Sequence, residues 1–234
     1  MKYIARIFNN FTGKFGIPRQ SGLVRDSFSR IIFEPDYRIP EALRGLGDFS
    51  HIWLIWEFSE AVRKNSKEES AWSPTVRPPR LGGNERMGVF ATRSPFRPNP
   101  IGLSCVKIEK ISFSGEEGPV ITVSGADLMN GTPIFDIKPY LPYADSVTEA
   151  SAGFTAETPF PTVRVEIKES AAAKLSAAEL SELKGILEND PRPAYKRGLD
   201  KTYRFSFAGR EIVFEGEDGL IRVTEVLSPH PSAP

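Results

Sequence analysis

The chain has 234 residues, 30 of them lysine or arginine and 30 aspartate or glutamate, so its formal net charge is zero. That balance excludes a polybasic protein that grips nucleic acid over its whole surface, and the length suffices for a sizeable core without crosslinks. A single cysteine, Cys105, excludes an internal disulfide framework, and two histidines, His51 and His230, leave too few ligands for a metal centre, so no metal is expected.

The first residues, MKYIARIFNNFTGKFG, lack the apolar core of a signal peptide, and no run of 18 apolar residues follows. The expectation is a soluble, cytoplasmic protein. In chain order, residues 40–46 predict a short helix. Residues 52–56, 88–91, 103–113 and 120–123 predict short strands, because they are β-branched or aromatic and bounded by Gly, Pro, Ser or Asn. Many short strands with frequent turns point to an antiparallel barrel or sandwich. His51, in FSHIW, reads as a buried structural histidine, and Cys105, in the alternating run 103–108, as a core thiol.

Residues 141–162 are polar and small and read as a linker or surface excursion. Ser176 and Glu179 then have capping-box spacing, and Leu180, Leu183, Ile186 and Leu187 share one helical face. Asn189-Asp190-Pro191 ends that helix. Tyr203, Phe205 and Phe207, then Ile212 and Phe214, then Ile221, Val223 and Val226 alternate with polar residues around turns at Gly209 and Gly219. They predict a helix followed by a three-stranded meander, a small α+β unit with a frayed tail SPHPSAP.

The charge is informative locally. Arg77, Arg80, Arg86, Arg93 and Arg97 fall within 21 residues, beside several prolines and glycines, with Glu85 the only acid. Proline pre-sets the backbone, glycine lets it approach a ligand, and arginine offers a planar fork for phosphate or carboxylate. By composition alone this segment reads equally well as a solvated charged loop. Gly83 and Gly88 have P-loop spacing, but Val89 and Phe90 replace its Lys and Ser/Thr, and Gly45-Leu46-Gly47 lacks the third glycine of a dinucleotide fingerprint. Two further Pro/Gly-stiffened segments, residues 16–23 around Pro18-Arg19-Gln20 and residues 130–140 from Asn130-Gly131-Thr132-Pro133 to Tyr140, read as rigid loops and are candidate binding loops, though either taken singly also reads as a structural turn.

Together, PRQSGL, RPPRLGGNERMGVFATRSPFRPNPIGLS and NGTPIFDIKPYLPYADS, supported by FSHIW and DPRPAYKRG, closely resemble the TsaA/TrmO family. The family comprises S-adenosylmethionine-dependent tRNA methyltransferases that act on N6 of threonylcarbamoyl-adenosine beside the anticodon. The resemblance implies a mainly β fold, an antiparallel β-barrel catalytic domain with a smaller C-terminal domain; together with the pattern above, the expected bounds are 1–145 for the barrel, 146–162 for a linker and 163–234 for the small α+β C-terminal domain. It also implies S-adenosylmethionine as cofactor, tRNA as partner, and a homodimer with the cofactor near the subunit contact. The cofactor is expected against Pro18, Arg19, Gln20, Ser59, Glu60, Arg93, Leu103, Asn130, Gly131, Thr132 and Pro133. Ser59-Glu60 stands where the family has His-Gln, and Asn130 where it has Asp.

The chemistry of these side chains suits that ligand. Arg19 or Arg93 would meet a carboxylate, and Leu103 would cover the adenine. Removing a proton from the target nitrogen calls for a base, for which Asp136 is the candidate, with Lys138 and Tyr140 orienting substrate. Asp136 reads equally well as a cap or as a partner of Lys138. Arg77, Arg80, Arg86 and Arg97 are the candidate tRNA contacts, with Phe96 or Tyr140 stacking on an unpaired base. Two alternatives are a non-catalytic RNA-binding β-barrel and a small-molecule methyltransferase.

Overall fold

Alternation in HIWLIWE places Ile52, Leu54 and Trp56 on one side of a strand, and that side is the protein's main core. A computed structural model describes residues 1–59, 72–158, 162–192 and 201–228. Six antiparallel strands close into a barrel in the order β1-β2-β7-β6-β3-β8: β1 (Ala5–Phe8), β2 (Phe28–Phe33), β3 (His51–Glu57), β6 (Ile101–Ser112), β7 (Val120–Ser124) and β8 (Pro133–Pro139). Closure is made by β1 and β8, which pair Ala5 with Ile134 and Arg6 with Pro133. Ile7, Ile31, Ile52, Leu54, Ile121 and Ile134 fill the interior. Each buried aliphatic side chain of this kind stabilises the fold by about 1.5–3 kcal/mol at most.

The Arg-rich segment hangs from the barrel between β3 and β6. It holds a two-stranded ribbon, β4 (Thr75–Val76) with β5 (Met87–Gly88), and a 3-10 turn over Val89–Ala91. The expected strand at 88–91 is therefore mostly turn, because Val89 is buried and its carbonyl accepts from the Thr92 amide and hydroxyl. The expected helix at 40–46 is split into 3-10 turns over Pro40–Leu43 and Leu46–Asp48, separated by Gly45 at φ 81°. Within the expected linker lie two single-turn helices, α1 (Pro142–Asp145) and α2 (Phe154–Glu157).

A second core forms around a four-stranded sheet in the order β10-β11-β12-β9. The expected meander is present as β10 (Thr202–Phe207), β11 (Arg210–Glu217) and β12 (Leu220–Leu227). A fourth strand not anticipated, β9 (Arg164–Ile167), runs parallel to β12. After the short α3 (Glu169–Ala172), α4 (Ala177–Glu188) starts with a complete capping box between Ser176 and Glu179 and buries Leu183, Ile186 and Leu187. The tail segment SPHPSAP falls almost wholly outside the described residues.

The two cores are joined by the stretch between β1 and β2. Phe11 and Val24 belong to the second core, and the Gly16 backbone lies so close to the Phe205 ring that a Cβ there would be 2.5 Å away. Glu182 on α4 anchors this stretch, accepting from Asn10 Nδ2 at 2.8 Å and from the Ser27 hydroxyl at 2.7 Å. Burial lifts the Glu182 carboxyl above the ordinary glutamate value of 4.5, and the two hydrogen bonds only partly oppose that. The folded chain thus holds this proton more tightly than the unfolded one. That preference favours folding at low pH and is lost as pH rises through the folded-state pKa. Glu182→Gln keeps an acceptor and does not titrate, so its stability relative to wild type should rise with pH above 4.5. Urea midpoints measured across that range check this, and a relative stability that falls with pH would contradict it.

Candidate active-site cleft

Where β3 and β6 leave the barrel, a large tryptophan lies over a glycine. Trp56 faces inward on β3, and its partner on β6 is Gly102, where a Cβ would come within 2.2 Å of the indole. The Trp56 Nε1 donates to Ser104 Oγ at 3.0 Å, and the Ser104 hydroxyl donates to Asp127 Oδ1 at 2.5 Å. This polar chain opens into a cleft of about 530 Å³, within the size range of small-molecule sites. Ile17, Trp56, Phe58, Ile101, Leu103 and Met129 supply apolar wall, while Arg19, Arg93, Arg97, Lys14, Glu57 and Asp127 bring charge to it.

Three segments distant in sequence form its rim. Arg93 Nη1 donates to Gln20 Oε1 at 2.6 Å, and Gln20 Nε2 donates back to the Arg19 carbonyl at 2.5 Å. The Arg19 guanidinium donates to the Arg192 carbonyl at 3.0 Å. Thr132 closes the third side, buried at the start of β8. Asp127 lies at the base. Burial raises its carboxyl above the ordinary 3.8, opposed by the Ser104 hydroxyl, the nearby Arg93 charge and the Ser21 amide.

Of the expected cofactor residues, the cleft gathers Pro18, Arg19, Gln20, Ser59, Arg93, Leu103 and Thr132. Asn130, Gly131 and Pro133 stand beside it but do not line it. Asn130 Oδ1 accepts from the Asn9 amide at 3.0 Å, Gly131 turns at φ 79° with its amide on the Ile7 carbonyl at 2.7 Å, and Pro133 opens β8. Glu60 lies outside the described residues.

Asp136, Lys138 and Tyr140 are on the other side of β3. Residues 133–139 form a strand rather than the rigid loop expected. Asp136 accepts from the Ile137 amide and pairs with Lys138 Nζ at 3.0 Å. Its neighbour across β3 is Ile55, whose other neighbour is Leu103. Asp136 is thus about 10 Å, two inter-strand spacings, from the cleft residue Leu103. Tyr140 packs on Trp53 and His51, with ring centroids at 5.7 and 6.2 Å. His51 and Cys105 are half-buried on this outer face, so neither is the core residue expected.

The candidate tRNA arginines are arranged unequally. Arg77 is exposed beyond β4, and Arg80 lies in the 3-10 turn Pro79–Leu81. Arg86 spans the small ribbon to Thr75 Oγ1 at 2.9 Å. Arg97 braces the loop from within, donating to the carbonyls of Val89 and Thr92 at 3.1 and 2.7 Å and lying over the Phe90 ring. Phe90 and Phe96 project into solvent.

Sequence reasoning missed Trp56, Asp127 and Met129. A lone acid between apolar residues carries no motif, and the placing of Gly102 opposite Trp56 depends on strand pairing that the sequence alone does not show. Among the described residues no group of His, Cys, Asp and Glu is arranged to hold a metal, and no helix is long and apolar enough to cross a membrane.

Comparison with known proteins places the chain in a family context. Residues 6–146 match the family model for the tRNA-methyltransferase O N-terminal domain, and residues 161–229 match that for the TrmO C-terminal domain. A tRNA (adenine(37)-N6)-methyltransferase of Escherichia coli is 40% identical over 208 residues, covering 86% of each chain. One from Eikenella corrodens is 42% identical over 180 residues, covering 77% of this chain and 98% of that one. A crystal structure of TrmO from Pseudomonas aeruginosa superposes with a TM-score of 0.74 at 31% identity, covering 97% of both chains.

Proposed function

Because the chain belongs to the tRNA-methyltransferase O family, we propose that it methylates tRNA at N6 of adenine 37, using S-adenosylmethionine. The substrate base is threonylcarbamoyl-adenosine. The observation that carries the reading is the cleft itself, in which three arginines, a lysine, two carboxylates and an apolar wall converge from four segments. That donor set fits the cofactor: a guanidinium for the carboxylate, flat apolar surface for the adenine, and Asp127 for an ammonium or amino group. When bound, the cofactor supplies an electrophilic methyl group on a sulfonium.

The chain's own residues would hold and align. Arg93, already directed by Gln20, and Arg19 meet the carboxylate, while Leu103 and Trp56 cover the base. The Thr132 hydroxyl reaches ribose or amine, while Gly131, its amide and carbonyl bonded to Ile7 and Arg6, shapes the turn beside the cleft. Alignment of this kind contributes about 7–11 kcal/mol to a displacement reaction. Arg77, Arg80 and Arg86, on the same segment as the cleft residues Arg93 and Arg97, meet anticodon-stem phosphates. Phe96 stacks on an unpaired base. Arg97 is committed to loop carbonyls and acts on RNA mainly by shaping that segment.

A homodimer fits the same picture. Across β6-β3-β8 the outer face presents Leu103, Ile55, Trp53 and Cys105, with Leu103 53% exposed beside the cleft. A second copy on this face would cover apolar surface and bring its Asp136 toward the first copy's cleft, where Asp136 takes the proton from N6. Within one copy Asp136 stands about 10 Å, two inter-strand spacings, from the cleft residue Leu103. The barrel and the sheet unit serve as catalytic and accessory domains, acting in the cytoplasm where tRNA is modified.

Calorimetry with S-adenosylmethionine and its demethylated product tests the cleft. Absence of binding at millimolar levels would favour a non-catalytic RNA-binding barrel. Label transfer to small metabolites but never to tRNA would favour the small-molecule reading. Asp127 gives a pH test. Its charge is lost as pH falls through a pKa raised above 3.8, so cofactor affinity should decline on acidification. Asp127→Asn should bind about tenfold more weakly and lose that acid-side decline. An unchanged pH profile in the variant would contradict the role.

A further inference from the structure

Asp190 and Arg192 form an ion pair that is almost wholly buried, at 1% exposure each, in the turn after α4. The Arg192 Nε and Nη2 meet the two Asp190 carboxylate oxygens at 2.8 and 3.2 Å, and the Arg192 amide donates to the same carboxylate at 3.2 Å. Arg192 Nη2 also donates to the Glu217 carbonyl on β11 at 3.1 Å. Gly216 leaves the room for this fork, since a Cβ there would lie 2.1 Å from Arg192 Nη1. Asp190 holds the turn at φ 42°, a left-handed conformation that side chains other than glycine seldom adopt.

The turn has a consequence in the cleft. Its two carbonyls, of Asp190 and Arg192, both accept from Arg19 Nη2, at 3.5 and 3.0 Å. The Arg19 carbonyl accepts from Gln20, and Gln20 accepts from Arg93. One hydrogen-bonded line therefore runs from β11 through Arg192, Arg19 and Gln20 to Arg93. Apolar packing would stabilise a turn as well as a buried ion pair does. What the ion pair adds is a fixed direction for two carbonyls. A long, rotamer-rich guanidinium held before its ligand arrives binds at lower cost than one that must be ordered on binding.

We propose that Asp190 and Arg192 are positioning residues for Arg19, so that the C-terminal unit sets cofactor affinity without touching the cofactor. This rests on the reading of the cleft as the S-adenosylmethionine site. Arg192→Lys loses the planar fork, and Gly216→Ala displaces it while leaving both ion-pair residues in place.

The test measures S-adenosylmethionine binding to the full chain by calorimetry, with hydrogen exchange of residues 16–22 followed in the absence of cofactor. Each variant should weaken binding by about tenfold, as loss of a charge-assisted hydrogen-bond geometry does, with kcat at saturating cofactor retained. In an Arg19→Ala background the same changes should alter Kd by less than about twofold, because the effect acts through Arg19. Amides of residues 16–22 should exchange faster in both variants while barrel strands keep their protection. Wild-type affinity in the variants, equal losses with and without Arg19, or unchanged exchange would overturn the proposal. If the wild type binds no S-adenosylmethionine, the reading of the cleft fails, and the exchange data alone decide whether the turn positions Arg19.

Discussion

Arg93→Ala is expected to weaken S-adenosylmethionine binding by about ten- to a hundredfold, the loss of a charge-assisted hydrogen bond to a carboxylate. Arg77→Ala should leave cofactor affinity unchanged. The difference follows from position. Arg93 stands on the rim of the cleft and is directed by Gln20 at 2.6 Å, whereas Arg77 is exposed beyond β4 and does not line the cleft. For tRNA the order reverses. Loss of Arg77 should weaken tRNA binding and lower its salt dependence by about one counterion, as removal of one phosphate contact does. Calorimetry with the cofactor and filter binding with tRNA over a salt series measure both. Equal effects of the two substitutions on cofactor affinity would remove the distinction between the cleft rim and the exposed position beyond β4.

Gly102→Ala should act through shape alone. Its new Cβ would sit 2.2 Å from the Trp56 indole, which is buried and cannot yield without losing its bond to Ser104. Overpacking of this kind costs about 1–3 kcal/mol in stability, read from the urea midpoint. Displacing Trp56 also moves a wall of the cleft and disturbs the Ser104 link to Asp127, so cofactor affinity should fall in the same variant. A variant with wild-type stability would mean that Trp56 is mobile where the packing requires it fixed. A destabilised variant with wild-type cofactor affinity would remove Trp56 from the site.

What the sequence made legible follows from how each element is encoded. The alternation of β3 and the capping box of α4 are local signals, and both read correctly. The loops Pro18-Arg19-Gln20 and the Arg-rich segment were legible through their composition, and they do meet at one cleft. β8 was hidden because its strand begins and ends on proline, so the run after Gly131 resembled a continued turn. β9 is four residues long and gains its pairing from β12, far along the chain.

The orientation of β6 misled for a different reason. Its inward residues include Gly102 and Ser104, made small by the tryptophan above them, while the larger Ile101 and Leu103 face outward. Cys105 shares that outward parity, which is why a thiol expected in the core stands on the surface of the barrel instead. Asp136 sits on the same outer surface for the same reason, through its pairing with Ile55. Local pattern alone could not show which parity faces in, because that depends on one cross-strand partner.

Zero net charge also has a spatial meaning here. The five arginines of residues 77–97 belong to a single segment beside the cleft, while acids such as Glu182 and Asp190 are spent on joining the two cores and holding the turn. Such a distribution suits docking of a folded RNA by one face rather than coating by it.

The central claim is methyl transfer to one tRNA nucleoside, and nucleoside mass spectrometry tests it directly. Purified protein, S-adenosylmethionine and tRNA carrying threonylcarbamoyl-adenosine should convert that nucleoside to a species heavier by one methylene unit, with no conversion in Arg93→Ala at low cofactor. The modified nucleoside recovered unchanged, from protein shown by calorimetry to be loaded with cofactor, would contradict the account.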